Sequence, residues 1–205
     1  DISQTAVIIT QTGGQCRASN YIALIKKGIV EAGYPEVPVL SLAIGDSMMN
    51  EQPGFTINWM KIIPITLGAV LFSDCIAKFY HASVVREKNK GEAKKLRRHY
   101  LDEAGKLILA NNSKALYQLI ETAAKHFNEI IIPEDNLPKV GLVGEIYLKF
   151  NCFANKDVAE WLIDKKIEVI PPLLTGFFTQ AFVNRKENIR THIEKAGISD
   201  FAYDL

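Results

Sequence analysis

Residues 5–27, TAVIITQTGGQCRASNYIALIKK, decide how the chain reads. A β-branched run (Val7, Ile8, Ile9, Thr10) stops at Gly13 and Gly14, passes Cys16 and Arg17, and enters a segment with helical spacing. Ile22, Leu24, Ile25, Ile29 and Val30 supply most of an apolar face, Ser19 or Asn20 stands where a cap is needed, and Gly33 follows the last turn. Val37 to Leu42 then reads as a second buried strand, which completes a βαβ unit.

The same order returns near the other end. KVGLVGEIYL (139–148) reads as a strand, ANKDVAEWLIDKK (154–166) as a helix and IEVIPPLL (167–174) as a strand, with a closing helix near 186–195. Between the two units the pattern is helical over 58–84, 92–110 and 113–128, with breaks at Pro64, at 88–91 and at Asn111 and Asn112. The expected fold is therefore α/β: a Rossmann-like or flavodoxin-like parallel sheet built from two βαβ units, with a long helical insert. One domain over 1–205 is expected, with two lobes: 1–55 joined to 139–205 as the sheet core, and 56–138 as the insert.

The 205 residues carry 24 Lys and Arg against 23 Asp and Glu. That balance gives no broad positive field, so nucleic acid is not an expected partner. Pro64, Gly68, Ser73 and Asp74 interrupt the longest apolar run below the roughly 18 residues of a membrane span, so no membrane partner is expected. The start, Asp1 to Gln4, has neither an initiator Met nor a basic-then-apolar leader, as expected for a piece of a longer protein. Three cysteines, Cys16, Cys75 and Cys152, form no CxxC pair and no even set, which suits free thiols in the cytoplasm.

In a doubly wound sheet, ligands bind beyond the carboxyl ends of the strands. That rule would gather the Gln11–Arg17 loop, Gly144, Glu145, the stretch Lys149–Cys152 and the Pro171, Pro172 pair at one edge. Gly13, Gly14, Arg17, Gly144 and Asn151 are then candidate cofactor-binding positions, for a phosphate held by backbone N–H groups or for a thioester carbonyl. Neither GxGxxG nor GxxxxGK[ST] is present, and a tight turn explains the glycine pair equally well. A cysteine-phosphatase mechanism needs a thiolate at the head of the loop, where Gln11 stands. Glu145 is the candidate acid or base. His81, His99, His126 and His192 lack metal spacing and read as surface or partly buried residues, and Lys94, Lys95, Arg97 and Arg98 read as a solvated helix face.

Three blocks, 5–42 (TAVIITQTGGQCRASNYIALIKKGIVEAGYPEVPVLSL), 88–93 (KNKGEA) and 141–162 (GLVGEIYLKFNCFANKDVAEWL), resemble the acyl-CoA dehydratase activase-related proteins, relatives of the activator and D-component of 2-hydroxyglutaryl-CoA dehydratase. The resemblance implies a module of a multidomain protein from anaerobic bacteria, a dehydratase (lyase)-related component of ATP-driven, one-electron activation of acyl-CoA dehydration. It implies a [4Fe–4S] cluster held by three cysteines, with Cys16 matching the motif's cysteine; Cys75 and Cys152 fall where relatives carry other residues. Val84, Val85, Arg86 and Glu87 replace the relatives' Arg-Pro-Tyr-Glu. Its implied partners are the rest of its own chain, an ATPase activator and an acyl-CoA. Two other readings stay open: a scaffold or docking module without chemistry, and a CoA- or nucleotide-binding domain without a metal.

Overall fold

The computed structural model describes residues 2–12, 20–44, 59–133 and 136–191, and divides the chain into two compact units, 1–57 and 58–205. Gly13, Gly14, Cys16 and Arg17 lie outside the described residues.

In the first unit a short 3-10 turn (Ile2–Gln4) leads into β1 (Val7–Thr12), α1 (Tyr21–Glu31) and β2 (Val39–Ile44). β1 and β2 pair in parallel from Val7 opposite Val39 to Thr12 opposite Ile44. Gly33, at φ +88°, lets the chain leave α1: its N–H reaches Val30 O, and Tyr34 N–H reaches Ile29 O, satisfying carbonyls that the helix end leaves open.

The second unit is built on three helices, α2 (Trp59–Val84), α3 (Glu92–Leu109) and α4 (Ser113–Glu129). Their core residues follow one spacing. α2 buries Ile65, Phe72, Ile76 and Tyr80; α3 buries Ala93, Tyr100 and Ala104; α4 buries Leu116, Ala123 and Phe127. Steps of seven and four residues keep each set on one stripe of a 3.6-residue helix. The alanines let the α3 and α4 backbones approach the aromatic rings of α2, and Phe79 tilts against Phe127 with ring centres 6.0 Å apart. α2 runs through Pro64 without a break. The proline lies in the second helical turn, so it removes one backbone hydrogen bond near the open end of the helix.

Glu87 replaces an N-cap side chain for α3: its carboxylate accepts from Gly91 N–H at 2.6 Å and Ala93 N–H at 2.9 Å. Asn112 caps α4 through Ala115 N–H. The rest of the unit is β3 (Lys139–Gly141), α5 (Ile146–Phe150), α6 (Cys152–Asn155), α7 (Val158–Asp164), β4 (Glu168–Ile170) and α8 (Leu174–Arg190). β3 and β4 pair in parallel, Lys139 opposite Glu168 and Gly141 opposite Ile170. Arg86, just past α2, ties this sheet to the helices: its guanidinium donates to Glu168 at 2.6 Å and to Ala82 O at 2.8 Å, with the two charged side chains only 10% and 14% exposed.

The doubly wound, Rossmann-like or flavodoxin-like sheet expected from the sequence is overturned. Most of the described residues are helical, and the described strands form two separate two-stranded sheets. The expected strand over 139–148 ends at Gly141, because Gly144 turns at φ +136° and Glu145 starts α5 by accepting from Tyr147 N–H. The expected strand over 167–174 ends at Ile170, because Pro171 and Pro172 have no N–H with which to extend a ladder. Within α2, Ile62–Val84 is long and apolar enough to cross a membrane by length and composition, with a mean hydropathy of 1.7 and 28% of that window buried, contrary to the expectation that Pro64, Gly68, Ser73 and Asp74 cut the apolar run short; one stripe of it packs against α3 and α4.

Phe127→Ala is expected to cost about 3–5 kcal/mol, read from urea denaturation, because it empties the centre of the three-helix core. Leu109→Ala, at a position 90% exposed, is expected to change stability by less than about 0.5 kcal/mol.

Candidate functional site

The carboxyl ends of β3 and β4 open into a crevice of about 260 Å³ within the second unit. Leu142, Pro171 and Pro172, the residues that follow the two strands, form its base. α2 contributes Asp74, Ala77 and His81, whose spacing places them on one face, opposite the stripe that packs against α3 and α4. Arg97 comes from α3; Lys149 and Phe150 from α5; Cys152 and Asn155 from α6; and Glu160 from α7, with Asp157 just ahead of it.

Asp74 is the most constrained of these groups. It is 6% exposed, yet its carboxylate is satisfied: it accepts from Leu174 N–H at 3.0 Å, Thr175 N–H at 2.7 Å and Thr175 Oγ1–H at 2.6 Å. The N-terminus of α8, which has no capping side chain of its own at Leu173, is thus capped by a carboxylate from another helix. This holds the wall that carries Pro171, Pro172 and Leu174, and it commits the negative charge of Asp74 to a helix end.

Tyr80, buried in the core, donates to Glu160 Oε1 at 3.4 Å, and the Arg97 guanidinium lies 4.9 Å from the centre of its ring. Burial, then the Glu160 charge, pushes the Tyr80 phenol up to about 12, so it stays a donor. Burial, then the Arg97 charge, pushes His81 down to about 4. An imidazole held neutral at pH 7 offers one N–H and one bare nitrogen.

Two buried side-chain atoms among the described residues have no hydrogen-bond partner, His81 Nδ1 and Asn155 Oδ1, and both residues line this crevice. Leaving such an atom unpaired costs about 1–3 kcal/mol. Asn155 is otherwise held, since its Nδ2 donates to Leu148 O at 3.0 Å. Among the described residues neither Arg97 nor Lys149 is in an ion pair. With Asp74 capping α8, the remaining charges are two cations, Arg97 and Lys149, and two carboxylates, Asp157 and Glu160.

The residues singled out in the sequence divide as follows. Lys149 and Cys152 reach the crevice; Asn151, between them, caps α6 through Ala154 N–H, Glu145 caps α5, and Gly144 makes the turn before it. Cys75 is on α2 but does not line the crevice, and burial followed by the Asp74 charge pushes its thiol up. Among the described residues no group of three Cys, His, Asp or Glu is placed to hold a metal ion, and Cys16 lies outside those residues. Asp74, His81, Arg97, Asn155 and Glu160 were not candidates from sequence. The available signal was a lone carboxylate inside an apolar helix, followed seven residues later by a histidine.

Lys94, Lys95, Arg98 and His99 line a separate, shallow groove along exposed α3. No family model, curated protein or solved structure matches the chain.

Asp74→Ala is expected to expose the Leu174 and Thr175 amides to hydrogen exchange while amides in α3 and α4 keep their protection. For His81, unfolding takes up a proton wherever the pH lies between the ordinary value of about 6.5 and the folded value of about 4. Its contribution is therefore flat above pH 6.5 and destabilises the fold as pH falls toward 4. Urea midpoints at pH 7, 5 and 4 are expected to fall less steeply in His81→Phe than in the wild type.

Proposed function

We propose that the chain is a ligand-binding module whose strand-end crevice holds a phosphorylated part of a coenzyme A ester. The observation that carries this is the placing of Arg97 and Lys149, neither in an ion pair among the described residues, on the wall of an apolar crevice at the carboxyl ends of paired parallel strands. Ligand pockets usually enclose about 300–1,000 Å³. At about 260 Å³ the crevice holds one segment of such a molecule and leaves the remainder outside. The resemblance to dehydratase activase-related proteins supports the acyl-CoA class. It also supports a place beside an ATPase activator or the rest of a longer chain, in the reducing cytoplasm that suits thiols such as Cys75 and Cys152. The resemblance marks Cys16 as a [4Fe–4S] ligand; the described thiols give it no set of three, and the crevice binds without one.

A docking role draws on a different observation. Val143 and Phe153 are each 90% exposed, next to the crevice residues Leu142 and Cys152, and present apolar side chains that a partner surface would cover.

Isothermal titration with coenzyme A tests the binding reading. The chain is expected to bind it, with affinity falling about 10- to 100-fold in Lys149→Ala and in Arg97→Ala, the effect of removing one charge-assisted hydrogen bond. An absence of heat with the wild-type chain, or equal affinity in all three proteins, overturns it.

A further inference from the structure

Arg97 and Lys149 offer contacts to a phosphate, but they leave His81 and Asn155 unexplained. His81 lies on the face of α2 opposite the core and Asn155 donates from Nδ2 to Leu148 O, and each keeps a buried polar atom without a partner among the described residues. A neutral imidazole accepts at Nδ1 in its Nε2–H form, and an amide oxygen only accepts. Evolved cores seldom keep such atoms unpaired without a use for them. The balanced charges of Arg97, Lys149, Asp157 and Glu160 likewise suit a ligand that is anionic at one point and a hydrogen-bond donor at another.

We infer that the crevice recognises a ligand carrying both a phosphate and a neutral N–H donor, with His81 Nδ1 and Asn155 Oδ1 as the acceptors for that donor. This rests on the binding reading above and names which chemistry the crevice selects. Small side-chain rotations of His81 and Asn155 bring the two acceptors to the ligand, while the bonds of Asp74 to α8 keep the wall in place. Inorganic phosphate satisfies only Arg97 and Lys149. Two parts of coenzyme A carry the full pattern: the amide N–H groups of 4′-phosphopantetheine and the exocyclic amine of adenosine 3′,5′-bisphosphate.

The test is a titration of the whole chain with those two halves, with intact coenzyme A and with inorganic phosphate, using wild type, His81→Phe, Asn155→Leu and Lys149→Ala. Thermal unfolding of each protein without ligand accompanies it. One half is expected to bind far more tightly than inorganic phosphate and to lose about tenfold in affinity in His81→Phe and again in Asn155→Leu. Whichever half binds identifies the donor as amide or amine. Ligand-free His81→Phe is expected to melt no lower than wild type at pH 7, because it removes an atom that had no bond to lose. A residue with a purely structural role would lower the melting temperature and leave affinity unchanged.

Binding that depends on Lys149 but is indifferent to His81 and Asn155 overturns this inference and leaves the coenzyme A reading standing. Inorganic phosphate binding as tightly as either half also overturns it. A wild-type chain that binds neither coenzyme A nor its halves overturns both.

Discussion

The burial of one stripe of α2 is the constraint on which the second unit depends. Ile65, Phe72, Ile76 and Tyr80 fill the space between α3 and α4, and α2 also packs against β4 and α8. Each such side chain contributes roughly 1.5–3 kcal/mol on burial. Four together are comparable with the whole net stability of a domain, about 5–15 kcal/mol. The helix cannot rotate about its axis without losing them. Its opposite face is thereby fixed as well, and that face carries Asp74, Ala77 and His81 into the crevice.

From this follows the division of labour among the polar groups. Asp74 is buried and negative, a state that would be costly for an unpaired carboxylate, and the N-terminus of α8 offsets that cost with three hydrogen bonds. Arg86 and Glu168 do the same for the junction between the helices and β4, at a nearly buried site where each charge has its counterpart. These two pairings tie α2 and the residues just after it to α8 and to β4. The crevice residues His81 and Asn155 each keep a buried polar atom without a partner among the described residues, and that contrast is the basis of the proposal that they meet a ligand.

Much of the local structure was legible in the sequence, and the assembly was not. The helices near 58–84, 92–110 and 113–128 follow from apolar spacing and from breaks at 88–91 and at Asn111 and Asn112, and α1 ends at Gly33 for the expected reason. The strand pattern does not determine whether two parallel strand pairs separated in sequence share one sheet, and here they form two. Val140 and Val169 gave a strand signal that Gly144, Pro171 and Pro172 cut to three residues on each side. The seven-and-four spacing of Ala93, Tyr100 and Ala104, repeated at Leu116, Ala123 and Phe127, was the stronger clue, since it describes helices that pack on one another rather than on a sheet. Of the residues that the strand-end rule gathers, Lys149, Cys152, Pro171 and Pro172 line the crevice that follows β3 and β4. Asp74, His81 and Arg97 come from α2 and α3, and nothing in their own sequence neighbourhoods shows that β3 and β4 end beside them.

The most direct measurement is a crystal structure of the chain grown with coenzyme A. The account predicts ligand density in the crevice beyond Gly141 and Ile170, with a phosphate in hydrogen-bond reach of Arg97 or Lys149. Density instead along the Lys94, Lys95 and Arg98 face of α3, or at the Gly13 and Gly14 loop, with the crevice between α2 and α7 unchanged, would contradict it.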